Sequence, residues 1–495
     1  MNMFNTFIER SGMEKKTYQY DGVKWLLENE LSNDLPWGVR GGFVADEMGL
    51  GKTIMMIGLC IANFMHNRKT LIVVPPVLID QWYAQIYKTT GHKCAVYHGL
   101  KKKRFDKIAE AGAEADAFAG AVIVLCSYDA ISIFKYKKGK NEKTKNKKLV
   151  ENSLLHKIAW GRVIFDEAHH LRNKSTSRYV GAKLLCADVK WFVSGTPIQN
   201  KKQDFYALCS LINLPASYYA DPDNLSEISN AFILRRTKKQ VGIDLIDAVE
   251  NKKIVEWKSD AERKLSEEIH SLIQFTNVKW VENSVRYSNY DNRNALLSLL
   301  LKARQSCIYP KMVTKTKGVG AEVGAGSGIN VTSSKLDSVV DAILERKDNG
   351  NGKIVFCHFK DEINEIASRL RADSYGLNVG ILDGSISKGA RKKILSVNKD
   401  VLIMQIQTGC EGLNLQDNYS EVYFVSPHWN PYVEDQAIAR CHRIGQKKPV
   451  FVWRFEMNNF GANVLENGKI ISTKNLEEYV NDIQNGKRSI VSNML

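Results

Sequence analysis

Residues 162–169 read Arg162-Val-Ile-Phe-Asp-Glu-Ala-His169, a short apolar run ending on two adjacent carboxylates. Arg162-Val-Ile-Phe165 has the length and character of a buried strand. A carboxylate pair at the C-terminal end of such a strand is where α/β sheets place metal–nucleotide chemistry. Similar runs recur at Thr70–Pro75, Ala121–Cys126, Trp191–Ser194, Lys353–Cys357, Val401–Ile406 and Glu421–Ser426. Helical patterns lie between most of them. This alternation predicts an α/β fold with parallel sheets. The runs form two sets, one before about residue 240 and one after about residue 350. Between the sets, Asp260 to about Val285 and Asn292–Ser306 carry helical spacing. Gly318–Gly328 (GVGAEVGAGSG) reads as a flexible linker or mobile loop.

The chain has 495 residues, and ~100–200 residues per domain predicts two to four units. Hydrophobic residues at 44% and charged residues at 25% argue against global disorder. No run approaches ~18 apolar residues, and the first 16 residues lack a basic start followed by an apolar core. A membrane span and a secretory signal are therefore not expected. Lys and Arg number 70 against 54 Asp and Glu, a net charge of +16. That bias points to a polyanionic partner, most simply nucleic acid, and is also compatible with a merely soluble basic protein. Nine cysteines without a C-x-x-C pair argue against a disulfide framework or zinc knuckle. They fit a reducing intracellular site. Lys135–Lys148 carries eight lysines and one glutamate and is expected to be a solvated loop. A solubilising role and a DNA-contacting role stand level for it.

The strongest local signal is Asp46-Glu-Met-Gly-Leu-Gly-Lys-Thr53. It departs from the strict phosphate-loop pattern G-x-x-x-x-G-K-[ST] only in having Asp46 for the first glycine. Gly49 and Gly51 let backbone N–H groups turn around phosphate oxygens, and the following helix offers its positive end. Lys52 is expected to reach the β- and γ-phosphates, and Thr53 to hold Mg²⁺. Asp166 would hold the same ion, Glu167 would polarise the attacking water, and His169 would relay the nucleotide state. Near the C-terminus, Gln436-Ala-Ile-Ala-Arg440-Cys-His-Arg443-Ile-Gly-Gln446 places two arginines three apart. A helix would put Arg440 and Arg443 on one face, as arginine fingers for transition-state charge.

With these motifs the chain resembles a superfamily-2 nucleic-acid-dependent ATPase. More narrowly, it resembles the SWI/SNF family of double-stranded DNA translocases. The spellings DEMGLGKT, SGTPIQN at Ser194–Asn200, LRRTK at Leu234–Lys238 and R-x-H-R-I-G-Q at Arg440–Gln446 carry the likeness. It runs from Tyr18 to about Val450. The resemblance implies two RecA-like lobes with a helical insertion between them. The expected divisions are a tail at 1–16, a first lobe at 17–240 and an insertion with linker at 241–330. A second lobe at 331–460 and a C-terminal extension at 461–495 complete it.

The resemblance also implies roles. Gln19 would read adenine, and Gly412 would lie at the nucleotide. Gln81 and Trp82, Ser127 and Tyr128, Arg235 and Arg236, and Trp429 would contact DNA. Ser194, Gly195 and Thr196 would couple hydrolysis to lobe movement. The sequence departs from the family where Cys410 replaces a usual glycine, where Gln407 stands near a usual lysine, and at Cys307-Ile-Tyr-Pro310. The implied cofactors are ATP and Mg²⁺, and the implied partner is duplex DNA, gripped mainly by its phosphates. Nucleosomes, transcription machinery or other DNA-bound proteins would be what it acts on. It would work as a monomeric motor, alone or within a larger complex, wherever DNA is handled. Two rivals stay open: a strand-separating DNA or RNA helicase, and a non-catalytic DNA-binding scaffold.

Overall fold

The computed structural model describes residues 1–64, 69–110, 117–138, 145–149, 153–195, 202–273, 290–314, 333–409, 412–460, 462–464, 470–472 and 474–494. It divides into two compact units, Met1–Asp244 with Ile490–Leu495, and Leu245–Ser489.

In the first unit the strands in chain order are β1 (Gly41–Val44), β2 (Thr70–Val74), β3 (Ala95–Tyr97), β4 (Ile123–Ser127), β5 (Phe134–Lys138), β6 (Lys145–Leu149), β7 (Trp160–Asp166), β8 (Ala187–Val193) and β9 (Ile233–Leu234). Seven of them form one sheet in the order β3-β4-β2-β7-β8-β1-β9. Every neighbouring pair in it is parallel. The helices that position the site are α1 (Asn2–Ser11), α2 (Thr17–Leu31), α3 (Lys52–Ala62), α4 (Ile79–Thr90), α5 (Gly99–Glu110) and α6 (Tyr128–Ile131).

Alternate strand residues serve opposite faces of this sheet, as the pleat requires. Leu71, Val73, Val163, Phe165 and Phe192 enter one core. Ile72, Val74, Ile164, Trp191 and Val193 enter the other, with Met55, Met56, Ile57 and Leu59 of α3. Burial on both faces is why these strands read as continuous apolar runs. β1 escapes that reading because two of its four residues are glycine. Gly41 is required: a Cβ there would lie 2.3 Å from the Lys190 carbonyl oxygen of the neighbouring strand.

The strand that carries the carboxylates is anchored at its other end by a buried network. Arg162 Nε donates to Glu30 Oε1 at 2.5 Å, and its Nη2 donates to Glu30 Oε2. Trp191 Nε1 and Asn63 Nδ2 donate to the same carboxylate at 2.9 and 2.7 Å. Breaking such a pair leaves an uncompensated buried charge and costs about 3–5 kcal/mol.

The lysine-rich segment corrects its expectation. β5 and β6 form an antiparallel pair with Phe134 opposite Leu149 at the base. Residues 135–138 and 145–148 are therefore hairpin strands rather than loop, and 139–144 lie outside the described residues. Lysine-rich composition reports solvation, and solvation does not prevent a backbone ladder.

In the second unit the strands of the large sheet are β10 (Val249–Val255), β11 (Gly352–Cys357), β12 (Val379–Leu382), β13 (Val401–Gln405), β14 (Tyr419–Phe424) and β15 (Phe451–Met457). They form a parallel sheet in the order β10-β15-β14-β11-β13-β12. Residues 249–255, expected inside a helical insertion, are an edge strand of this sheet. Four of those seven residues are polar or charged, and an edge strand needs little apolar surface. Of the expected helical stretches, Asp260–Ser271 and Tyr290–Ile308 are helices, and 274–289 lie outside the described residues. Ile269, Ile273 and Ala303 share a small core with Leu476, Tyr479 and Val480. Parts of the expected insertion and of the expected C-terminal extension thus pack together. Gly318–Gly328 lies outside the described residues. The eight described cysteines are all free, and seven are buried.

Candidate nucleotide site

β1 ends at Val44, and the chain turns through the loop 45–51 into α3. Hydrogen bonds to the segment after β9 fix the loop's start. Ala45 N donates to Leu234 O and Glu47 N to Arg236 O, both at 2.8 Å. The Asp46 side chain is fully buried and takes two bonds from Arg236, Nη2 to Oδ2 at 2.5 Å and Nε to Oδ1 at 3.1 Å. Lys238 Nζ lies 3.0 Å from Glu47 Oε1. The residue that breaks the strict phosphate-loop pattern is therefore an internal tie.

Gly51 caps α3 with φ 80°, and no side chain caps that helix end. Its first-turn N–H groups are the anion-binding feature the sequence suggested. The positive φ favours glycine at 51, where a Cβ would sit 2.4 Å from Gln19 Nε2. Gln19 is buried and donates from Nε2 to Leu50 O at 3.2 Å. It lies directly against the loop. Lys52 Nζ donates to Asp46 O at 2.7 Å and Glu47 O at 3.3 Å. Thr53 follows in the first turn, partly exposed.

Asp166 ends β7, and Glu167 takes a left-handed conformation with φ 51°. The strained turn sets the two carboxylates side by side. Burial first, and Glu167's charge second, push the Asp166 carboxyl up to about 7, and Lys52 is among the groups that pull it down. Such a pair favours a cation, so the donor set fits Mg²⁺ with Asp166 and Thr53 as holders. Glu167 Oε2 lies 3.3 Å from His169 Nδ1. His169 stacks on His170 at 4.7 Å, and burial holds the His170 imidazole down at about 4.

Four residues expected at DNA are placed elsewhere. Trp82 is buried, and its Nε1 donates to Asp166 Oδ2 at 2.7 Å. Tyr128 is buried, and its hydroxyl donates to Asp166 O at 2.7 Å. Ser127 is buried, with Oγ 3.0 Å from His98 Nδ1. Arg236 is committed to Asp46 and also donates from Nη1 to Tyr18 O at 2.5 Å. Indole and phenol groups near a strand end do not reveal from sequence which way they point. Here they face inward because each has a buried oxygen to satisfy. Gln81 and Arg235 are exposed, as a phosphate contact requires.

Trp82 is then a positioning residue for Asp166. Trp82→Phe removes the donor and keeps the packing. The Mg²⁺ concentration for half-maximal turnover is expected to rise roughly 10–100-fold, as when metal-ligand supports are lost elsewhere. Duplex affinity should stay unchanged. A variant that loses duplex affinity and keeps its Mg²⁺ dependence would return Trp82 to DNA.

In the second unit, the helix Pro431–Ile438 ends before both candidate arginines. Arg440 and Arg443 lie in the turns that follow, not on a helix face. Arg443 N donates to Cys441 O at 3.1 Å, and Gly445 has φ 97°. The helix expected from the i, i+3 spacing stops at Ile438, two residues short of Arg440. The Arg443 guanidinium donates to Asn414 Oδ1. Burial and the Arg440 charge lower its pKa. Gly412 has φ 73° in the segment before β14. Trp429 is half-buried, with Arg304 over its ring at 5.0 Å and Tyr479 edge-on at 6.4 Å. Its packed face is thus occupied. Thr196–Asn200 and Cys410 lie outside the described residues.

Two parallel-sheet RecA-like lobes, the first with a phosphate loop and a strand-end carboxylate pair, define a helicase-like ATPase. Residues 18–221 match the SNF2-related domain, and residues 334–445 match the helicase conserved C-terminal domain. The chain carries both domains in this order, and together they indicate ATP hydrolysis. It is 27% identical over 455 residues to the "Probable global transactivator" of Orgyia pseudotsugata multicapsid polyhedrosis virus, covering 88% of this chain and 85% of that protein. It is 26% identical to the ISWI chromatin-remodeling complex ATPase ISW2 of Saccharomyces cerevisiae, over 90% of this chain and 39% of that one. It is 24% identical to human chromodomain-helicase-DNA-binding protein 6, over 91% of this chain and 17% of the other. Among solved structures, the Sulfolobus solfataricus SWI2/SNF2 ATPase core in complex with dsDNA matches with a TM-score of 0.39 and 23% identity. That match covers 90% of this chain and 88% of that one. The chain spans less than half the length of the yeast and human relatives. No helix among the described residues is long and apolar enough to cross a membrane.

Proposed function

We propose that this ATPase is a motor that moves along intact duplex DNA and displaces or remodels proteins bound there. The carrying observation is the phosphate loop beside Asp166 and Glu167 in a chain whose two domains are those of the SNF2 family. In this reading the loop and the start of α3 bind the triphosphate, and Lys52 neutralises its terminal oxygens. Mg²⁺, held by Thr53 and Asp166, supplies charge neutralisation at the transferring phosphoryl group. Glu167 orients the attacking water, and Trp82 holds Asp166 in place. Arg440 and Arg443 answer transition-state charge, and Gly412 lies near them in the cycle. Catalysis by such a site is positioning and electrostatics.

Gln81 and Arg235, both exposed, and Trp429 are the remaining motif candidates for DNA contact. The net charge of +16 supports a phosphate-gripping surface. Backbone contacts ignore sequence and weaken with salt. The yeast relative's name supports chromatin as the roadblock.

The test separates tracking from unwinding. Strand separation costs a mean of ~1.4 kcal/mol per base-pair step and needs a wedge to couple it to movement. A third strand wound on a duplex should be displaced in an ATP-dependent way. A forked duplex with single-stranded tails should stay annealed under the same conditions. Fork unwinding without triplex displacement would make the protein a strand-separating helicase. Absence of any DNA-stimulated turnover would uncouple ATP hydrolysis from DNA and overturn the motor reading.

A further inference from the structure

β9 pairs in parallel with β1, Phe43 opposite Ile233 and Val44 opposite Leu234. Past these residues the same ladder runs on through two bonds at 2.8 Å, from Ala45 N to Leu234 O and from Glu47 N to Arg236 O. Bonds at alternate residues are those of a parallel pair. Residues 234–236 are thus laddered to the start of the phosphate loop.

Side chains reinforce both rungs. Arg236 grips the buried Asp46 carboxylate with two nitrogens, at 2.5 and 3.1 Å. A planar fork of this kind fixes direction as well as distance. Its Nη1 donates to Tyr18 O at 2.5 Å, and its Nη2 lies 3.4 Å from Met55 Sδ. One guanidinium therefore joins the loop to α3 and to the residue before Gln19. Glu47 is held by Lys238, whose backbone N donates to Oε2 at 2.8 Å and whose Nζ lies 3.0 Å from Oε1.

The ladder has a functional group on each side. Lys52 Nζ donates to the carbonyls of Asp46 and Glu47 at 2.7 and 3.3 Å, and a bound triphosphate would draw that ammonium toward itself. Arg235 stands between the bonded residues Leu234 and Arg236, and it is exposed. Successive residues of an extended segment point to opposite sides, so Arg236 turned onto Asp46 leaves Arg235 turned outward. A DNA phosphate on Arg235 and a nucleotide phosphate on Lys52 would pull on the same two rungs.

We propose that Arg236 and Lys238 are positioning residues that couple nucleotide binding to duplex binding, by locking the Arg235 segment to the phosphate loop. The coupling rests on the duplex-motor reading, in which Arg235 meets the DNA backbone. Linkage makes it reciprocal: the factor by which DNA raises nucleotide affinity is the factor by which nucleotide raises DNA affinity.

The experiment uses the full chain. Duplex affinity is measured by fluorescence anisotropy, with and without a saturating non-hydrolysable ATP analogue and Mg²⁺, and the ratio is the coupling factor. Wild type should show a factor of about 5 or more. Lys238→Met removes the ammonium and keeps the stem, while Lys238→Arg keeps the ion pair with Glu47. Removing Arg236 alone would strand a buried carboxylate and threaten the fold, so Arg236→Gln is combined with Asp46→Asn. The factor should fall to roughly half or less in Lys238→Met and to near one in the double variant, and Lys238→Arg should match wild type. Duplex affinity without nucleotide, and its salt dependence, should stay close to wild type in all three. A merely structural role would instead lower both affinities and leave their ratio unchanged.

A wild-type factor in Lys238→Met and in the double variant overturns the proposal and leaves the motor reading standing. If the double variant does not fold or does not bind the analogue, Lys238→Met decides alone. A salt slope flattened by about 0.9 in the double variant, with the factor intact, returns Arg236 to the DNA surface and also overturns the proposal. A factor of one in wild type overturns it too; if duplex DNA then fails to stimulate wild-type turnover, the motor reading falls as well.

Discussion

Lys52→Ala is expected to lower ATP turnover by at least about 10³-fold, to near background, because one preorganised charge at a developing phosphoryl anion is worth that much. The ammonium lies at the mouth of the loop, 2.7 Å from Asp46 O. The start of α3 and the Asp166 carboxylate are close enough to feel its charge. No other lysine stands in that loop or in the first turn of α3. Duplex affinity should hold within about threefold, since phosphate contacts elsewhere carry it. Hydrolysis and anisotropy on one preparation decide the matter. Turnover near wild type would place nucleotide chemistry at another site. A parallel loss of duplex binding would show that the loop also shapes the DNA surface.

Arg443→Ala is expected to cut kcat by about 10³–10⁵, the range for arginine fingers, with a much smaller change in nucleotide affinity. The structure adds a reason for the choice of residue. Arg443 is partly buried, aligned by Asn414 Oδ1, and next to a second cation in Arg440. Two like charges held together store repulsion that an anion relieves. Arg443→Lys should rescue little, because an ammonium cannot reproduce the planar fork. Asn414→Ala should lower kcat less than Arg443→Ala, through loss of orientation alone. Single-turnover kinetics separates the outcomes. A raised KM with kcat intact would make Arg443 a ground-state binder.

The α/β class was legible because its signal is local. Burial on both faces forces apolar runs such as Leu71-Ile-Val-Val74 and Val163-Ile-Phe165, which composition alone exposes. Three of the strands that escaped notice lack that pressure. β10 is a polar edge strand, β9 has two residues, and β1 is half glycine. The Lys135–Lys148 hairpin escaped because high charge signals solvation, not backbone conformation.

The loop glycines, Lys52, Thr53, Asp166 and Glu167 were fixed by spacing within a few residues, because phosphate and metal chemistry constrain short segments. The sequence also determined the net charge and the succession of two α/β sets. What only the tertiary structure decided are the directions of side chains whose partners are far away in the chain. Arg236 meets Asp46 across 190 positions, and Trp82 meets Asp166 across 84. Both residues read as DNA contacts in sequence, since a basic or aromatic group beside a motif suits a surface as well as a core. Their buried acceptors settled the choice: a carboxylate removed from water must be bonded, and in this fold these are the donors that reach it.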